Sequence, residues 1–367
     1  MMFFLAPVAV SFFVCVVLVA LNARREHSPK VCLDTSAVQA SHTKPTSRLG
    51  GLAVMAGMLS GGLLAYYYGE PLYLLLLVTA IPMFAMGVAE DVLRETSTIV
   101  RYLMAAFSAL CAIAIIGVRI THADAVGLDW LLAFAPFAVL MTVFVVASFC
   151  HAFNLIDGLN GLASGTGILV AIGLAAIATK AGEQSLVTMC AITAFSILGF
   201  FILNFPAGRI FLGDGGAYII GYMLTWIALI LLHRAPEIAG WAMFLVFFWP
   251  LADTIFAIFR RRRRGVSLDT ADRLHYHQLV LRGIEITILG RSKRDIANPI
   301  ATSVMLPFIA VPIIAGVIFW DDPVLSFIAL ALFGAIFVTS YRIGVKAAKA
   351  FKRKPDIVGA AVISPAE

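Results

Sequence analysis

Apolar runs of about 20 residues recur along the whole chain, and each is long enough to cross a bilayer core as one helix. This limits the fold more than any other feature, because backbone groups in hydrocarbon find no water. Helices and closed barrels are the only forms that satisfy them internally. Eleven runs are read at roughly 2 to 21, 50 to 68, 71 to 89, 101 to 119, 130 to 150, 162 to 179, 186 to 203, 215 to 232, 239 to 259, 299 to 319 and 324 to 341. With 61% hydrophobic and 13% charged residues, a soluble core does not account for so much apolar sequence. The expected fold class is an all-α polytopic membrane protein with about eleven transmembrane helices.

Lys and Arg set the orientation, since basic loops stay cytoplasmic. Threaded alternately, one side of the membrane collects 24 of the 27 Lys and Arg, leaving only Arg119, Lys180 and Arg234 opposite. The N-terminus is therefore expected outside and the C-terminus in the cytoplasm. Residues 1 to 21 lack a basic n-region and are followed by Arg24 and Arg25, which makes them a first span rather than a signal peptide. The five cysteines show no metal-type spacing and suggest packing residues. No internal repeat is evident, so residues 1–342 are read as one integral-membrane domain and 343–367 as a basic cytoplasmic tail. The basic loops suit anionic membrane lipids, and no nucleic-acid partner is expected.

The polar motifs all fall on the basic side. The third span ends in GVAED, where the adjacent carboxylates of Glu90 and Asp91 repel and favour a cation or a proton. After the fifth span comes HAFNLIDGLNGLASG, in which His151, Asn154, Asp157 and Asn160 recur every third residue. At helical pitch these share a slowly drifting face, an oxygen-rich surface suited to a hard cation holding a diphosphate; a plain polar loop is the alternative. NFPAGRIFLGDGGAY supplies Asn204, Phe211 and Asp214 just before another span. Asp214 is the first choice for a metal ligand at a phosphate-binding helix N-terminus, against a simple helix cap. In the longest inner loop, Arg260 to Arg264 lead to Asp272, His275 and His277. Arg264, Asp272 and the histidines bring groups toward phosphate, while zinc is disfavoured because no thiolate joins the HxH pair. Asp253, inside the ninth span, is expected to face the bundle interior, either orienting a site residue or supporting packing.

The ordered set KPTSRLGG, GVAED, NLIDGLNGLASG, NFPAGRIFLGDGGAY and DRLHYHQL, spanning about residues 31 to 282, resembles the polyprenyl-phosphate N-acetylhexosamine-1-phosphate transferases. These form the WecA-type branch of the superfamily that includes the phospho-MurNAc-pentapeptide translocase. The resemblance implies transfer of a sugar 1-phosphate, expected to be N-acetylhexosamine 1-phosphate, from a UDP-sugar to undecaprenyl phosphate. UMP is released, and a lipid-linked cell-envelope polysaccharide such as O-antigen is begun. It assigns the family's acidic pair to Glu90 and Asp91, its Asn/Asp cluster to Asn154, Asp157 and Asn160, and its metal-binding aspartate to Asp214. Mg²⁺, or Mn²⁺ in its place, would be shared by Asn154 and Asp214. Asn204 and Phe211 would meet uridine, Lys44 and Arg48 the phosphates, and His275 and His277 would close over sugar or diphosphate. Related enzymes commonly form homodimers. The chain departs from the family in having Glu90 for aspartate, His151 for asparagine and Asn160 for aspartate. The pentapeptide translocase is the in-family alternative, but HYHQL lacks its tri-histidine run; outside the family the alternative is a transporter, whose acids belong near the bilayer midplane.

Overall fold

A computed structural model describes residues 2–24, 46–93, 96–265, 274–290 and 293–352. Helices α1 (Met2–Arg24), α2 (Gly50–Tyr67), α3 (Leu72–Leu93) and α4 (Thr98–Ile116) are followed by the short α5 (Leu128–Leu132) and by α6 (Ala135–Ile156). Next come α7 (Leu162–Lys180), α8 (Gln184–Asn204), α9 (Gly213–Arg234), α10 (Gly240–Val246) and α11 (Phe248–Arg264). The short α12 (Tyr276–Ile284) runs into a π-helical turn, Glu285–Leu289, before α13 (Arg294–Ile318) and α14 (Pro323–Lys352). Ten of these helices are long and apolar enough to cross a membrane, or up to eleven if the bent pair α10 and α11 counts as one span.

That bent pair departs from the straight ninth span expected at 239–259. The two pieces meet at 84°. Pro250, in the first turn of α11, lacks the N–H needed to continue α10, and its ring would clash with the Val246 carbonyl four residues earlier. Beyond residue 342 the chain continues as helix to Lys352, so the first ten residues of the expected tail prolong α14.

The bundle is organised around α9, whose residues from Gly213 to Leu232 are all buried, among α2, α3, α6, α7 and α8. A helix apolar on every side is stable only when enclosed in this way. Small residues let the neighbours approach: a Cβ on Gly87 would come within 2.5 Å of Gly215 Cα, so any side chain there would push α3 off α9. Some polar groups within the spans pair across helices, as where the Tyr222 hydroxyl meets Thr79 Oγ1 at 2.8 Å and donates to the Ser108 carbonyl at 3.0 Å. The outer helices expose Phe13, Val78, Phe107, Phe144, Phe308 and Leu332, among other large apolar side chains. In water these would form an aggregating surface; in hydrocarbon they are the expected lining.

Candidate functional site

Close packing on α9 brings the ends of several helices together at its N-terminus. The strand-like segment before α2 pairs with the segment before α9: Phe211 N–H donates to the Ser47 carbonyl at 2.8 Å, and Gly50 and Gly51 N–H donate to Phe211 and Leu212 carbonyls at 2.9 and 2.8 Å. Arg48 is thereby held over the start of α9. Its Nη2 meets Asp214 Oδ1 at 3.0 Å, and its Nε lies 3.5 Å from Asp91 Oδ1. Arg101, in the first turn of α4, takes the other Asp214 oxygen at 3.0 Å and also contacts the hydroxyls of Tyr218 and Thr98.

Of the two roles expected for Asp214, that of helix cap is filled by another residue. Asp91 is the cap, accepting hydrogen bonds from the Asp214 and Gly215 N–H groups at 2.9 and 3.0 Å. Two otherwise orphaned donors at the α9 N-terminus are satisfied from another helix. Asp214 is freed to face the arginines. Glu90 turns the opposite way from Asp91, toward the start of α4, accepting from the Thr96 N–H at 2.9 Å and from its hydroxyl. The adjacent acids thus have separate jobs, one holding α9 and the other the α3–α4 turn.

The expected single face from His151 to Asn160 is not formed, because α6 ends at Ile156. His151 stacks on Tyr102 at 3.7 Å with Tyr218 edge-on at 5.1 Å. Asn160 points elsewhere: its N–H donates to Asn298 Oδ1 at 2.8 Å and its Nδ2 to the Pro206 carbonyl at 3.0 Å. Asp157 and Asn154 remain partly open. The Asp157 carboxylate accepts no hydrogen bond among the described residues. Desolvation in its recess pushes it up to about 7, with Arg48 opposing this and Asp214 and Asp91 adding to it. Burial works against the Arg48 charge, but Asp214, Asp91, Asp157 and Glu90 together reverse this and raise its pKa. Four carboxylates therefore share one field with two guanidiniums, Arg48 and Arg101.

Asn204 is buried, accepting from Gly161 N–H at 2.6 Å and donating to the Ile210 carbonyl at 2.7 Å. It fixes the loop that presents half-buried Phe211. Asp253 is buried and faces the bundle interior, where it holds the start of α12. Its Oδ2 lies 2.9 Å from His275 Nδ1, and its Oδ1 accepts the Tyr276 N–H at 3.0 Å, capping α12. His277 then projects two residues on, its ring parallel to that of His275 at 5.7 Å, and packs directly against Gly158. A Cβ at 158 would clash with the His277 ring at Nε2, so Gly158→Ala is expected to displace the histidine. A misplacement of this kind lowers turnover by about 10²-fold, while thermal stability in detergent falls much less; unchanged turnover would show that His277 need not sit there.

The structure thus brings together Arg48, Glu90, Asp91, Asp157, Asn204, Phe211 and Asp214 around the α9 N-terminus, with Asn154 half-buried in the last turn of α6 and His277, stacked on His275, against Gly158. Arg264 lies apart, at the far end of α11 beside Arg260 and Arg342. Lys44 and Asp272 lie outside the described residues. Arg101 and Asn298 are not read from the sequence as site residues. Arg101 leaves one trace there, a cation in the first helical turn, where the helix dipole disfavours it unless an acid holds it.

Among the described residues, no three His, Cys, Asp or Glu side chains form a metal cage. Mg²⁺ does not require one, since it is commonly held by one or two carboxylates, with water and substrate phosphates completing its shell. The oxygen-only donors, the excess of carboxylates and the unbonded Asp157 fit such an ion.

Fold and site together define a polytopic helical membrane protein with an acid and arginine centre at one end of its bundle. Residues 73–232 match the model of Glycosyl transferase family 4. The chain is 27% identical over 241 residues to the probable undecaprenyl-phosphate N-acetylglucosaminyl 1-phosphate transferase of Bacillus subtilis (strain 168), covering 65% of this chain and 67% of the relative. It is 29% identical over 246 residues to the undecaprenyl-phosphate alpha-N-acetylglucosaminyl 1-phosphate transferase of Salmonella typhi, covering 64% and 65%. To the protein of that name from Escherichia coli (strain K12) it is 26% identical over 283 residues, covering 74% and 75%. The aligned stretch spans about two thirds of the first two relatives. Over residues 73–232 the chain is thus similar to glycosyl transferase family 4, and along its aligned length to these transferases.

Proposed function

We propose that the protein transfers N-acetylhexosamine 1-phosphate from a UDP-sugar to undecaprenyl phosphate at the cytoplasmic face of a bacterial inner membrane. The observation that carries this reading is Asp214 held between Arg48 and Arg101 at the N-terminus of the buried α9. An oxygen of the acceptor phosphate attacks the sugar-side phosphorus of the UDP-sugar. The bond from that phosphorus to the bridging oxygen breaks, and the electron pair leaves with UMP. The acceptor needs no strong base, because the second pKa of a phosphate monoester is about 6.

The barrier is the approach of one anion to another. Arg48 and Arg101 answer it with N–H donors fixed in place by Asp214 and Asp91 before substrate arrives; Nη1 of Arg48 has no partner among the described residues. Asp214, Asp157 and Asn154 would hold Mg²⁺, which when bound supplies neutralisation of the diphosphate oxygens. The His275 and His277 loop, oriented by Asp253, covers the opposite side of the cleft and excludes water. Direct in-line transfer is preferred, because Asp91 and Asp214 are engaged in capping and ion pairs and Asp157 is given to the metal.

Purified protein supplied with undecaprenyl phosphate, Mg²⁺ and a panel of labelled UDP-sugars should yield labelled lipid and UMP in equal amounts with a UDP-N-acetylhexosamine. Product with UDP-MurNAc-pentapeptide alone would shift the reading to the pentapeptide translocase. Excess chelator should stop transfer, and added Mg²⁺ or Mn²⁺ should restore it; full activity in chelator would remove the metal from the mechanism. A transporter reading fares worse, since the acids gather at one end of the bundle rather than midway along it.

A further inference from the structure

Away from this site, α11 and α14 meet in a cleft of about 320 Å³. Phe256, Phe259, Arg260, Arg263 and Arg264 line it from α11, and Tyr341, Arg342, Val345 and Lys346 from α14. The spacing within each set is helical, three or four residues apart with adjacent pairs, so each helix presents one stripe. Along both stripes, aromatic or aliphatic groups accompany basic ones.

Among the described residues the cations in this cleft do not neutralise acids of the protein. Arg263, Arg264, Arg342 and Lys346 make no ion pair among the described residues, and no acidic side chain lines the cleft. Gathering four like charges without a counterion is unfavourable unless an anion is supplied from outside. The setting also selects the kind of anion. α14 is a candidate span whose outer face exposes Phe327, Ile328, Leu332, Ile336 and Ile343, and its basic residues come at the end of that apolar face. After the 84° bend α11 keeps one face buried and exposes Ile255, Ile258 and Phe259 beside the arginines, an apolar and basic face of the kind that lies at the headgroup level.

We propose that this cleft binds the headgroup of an acidic phospholipid, its phosphate among Arg263, Arg342 and Lys346 and its acyl chains along Phe256, Phe259 and the exposed face of α14. The cleft is tied to the histidine loop. Arg260 Nη1 donates to the Tyr341 hydroxyl at 2.8 Å, and that hydroxyl donates to the Leu274 carbonyl at 2.9 Å, next to His275. A lipid seated against Tyr341 therefore steadies the loop that carries His275 and His277.

The test uses the full purified chain in detergent, titrated with phosphatidylglycerol, phosphatidylcholine or undecaprenyl phosphate, with bound lipid counted by native mass spectrometry. Phosphatidylglycerol should bind with a defined stoichiometry and raise the unfolding midpoint, and phosphatidylcholine should do neither. The triple variant Arg263→Gln, Arg342→Gln, Lys346→Gln should weaken phosphatidylglycerol binding about tenfold or more, while Arg262→Gln, Lys352→Gln, Arg353→Gln, equal in charge, should not. Should the triple variant fail to fold, Arg342→Gln alone, at an exposed position, should still weaken binding several-fold. Equal loss in both triple variants, equal binding of phosphatidylcholine, or loss of undecaprenyl phosphate instead of phosphatidylglycerol would each overturn the proposal. Because the readout is binding, failure of the transfer reaction would leave this result standing.

Discussion

Replacing Asp214 with asparagine should lower sugar-phosphate transfer by about 10²- to 10³-fold, the loss typical of removing one preorganised electrostatic group from an active site. The change keeps the side chain's size. It removes the charge that fixes Arg48 and Arg101, whose donors meet its two oxygens at 3.0 Å each. Both products should fall together, since UMP release and lipid labelling come from one bond exchange. The Asp91 cap does not depend on this side chain: it holds the backbone N–H groups of Asp214 and Gly215. The unfolding midpoint should therefore move little. Turnover retained within threefold of wild type would take Asp214 out of the mechanism.

The largest effect on stability is expected at Asp91. Its carboxylate is almost wholly enclosed, with a side chain 2% exposed, and accepts two backbone hydrogen bonds from the first turn of α9. Asp91→Ala strands both donors at about 1 to 3 kcal/mol each and leaves a cavity beside Arg48. A loss of about 2 to 6 kcal/mol is the expected sum for the two donors, seen as a clear drop in the unfolding midpoint in detergent. Asp91→Asn should be milder, because the amide oxygen still accepts one of the two bonds. If Asp91→Ala unfolded at the wild-type temperature, the capping role would be wrong. The contrast between neighbouring acids is informative: Asp214→Asn acts mainly on rate, Asp91→Ala mainly on stability.

Much of this arrangement is legible in the sequence for a physical reason. A span is recorded in composition over some twenty residues, so ten spanning helices and a bent pair follow closely where eleven runs are read. The convergence of Glu90, Asp157 and Asp214 at one end follows from alternation of the spans alone. The division of labour does not, because it depends on side-chain direction at helix ends. Three-residue spacing suggests a shared face for His151 through Asn160, yet that inference holds only while the helix continues, and α6 stops at Ile156. Likewise, Asp214 has the position of a cap in sequence, but Asp91 of another helix reaches it first. Tertiary contacts of that kind, and the Asp253 hold on His275, leave no local pattern. The bend before α11 does leave one, in Pro250, which a hydropathy count passes over.

The central claim is that the loops bearing Asp91, Asp157 and Asp214 meet at one membrane face, where UDP-sugar arrives from the cytosol. Single cysteines placed at exposed Leu93, Ala207 and Arg262 in a cysteine-free chain, with Gln184 and Asp321 at the opposite end of the bundle, test it with a membrane-impermeant thiol reagent. The first three should label only in inverted vesicles and the last two only in spheroplasts. Labelling of Leu93 and Ala207 from opposite faces would contradict the account.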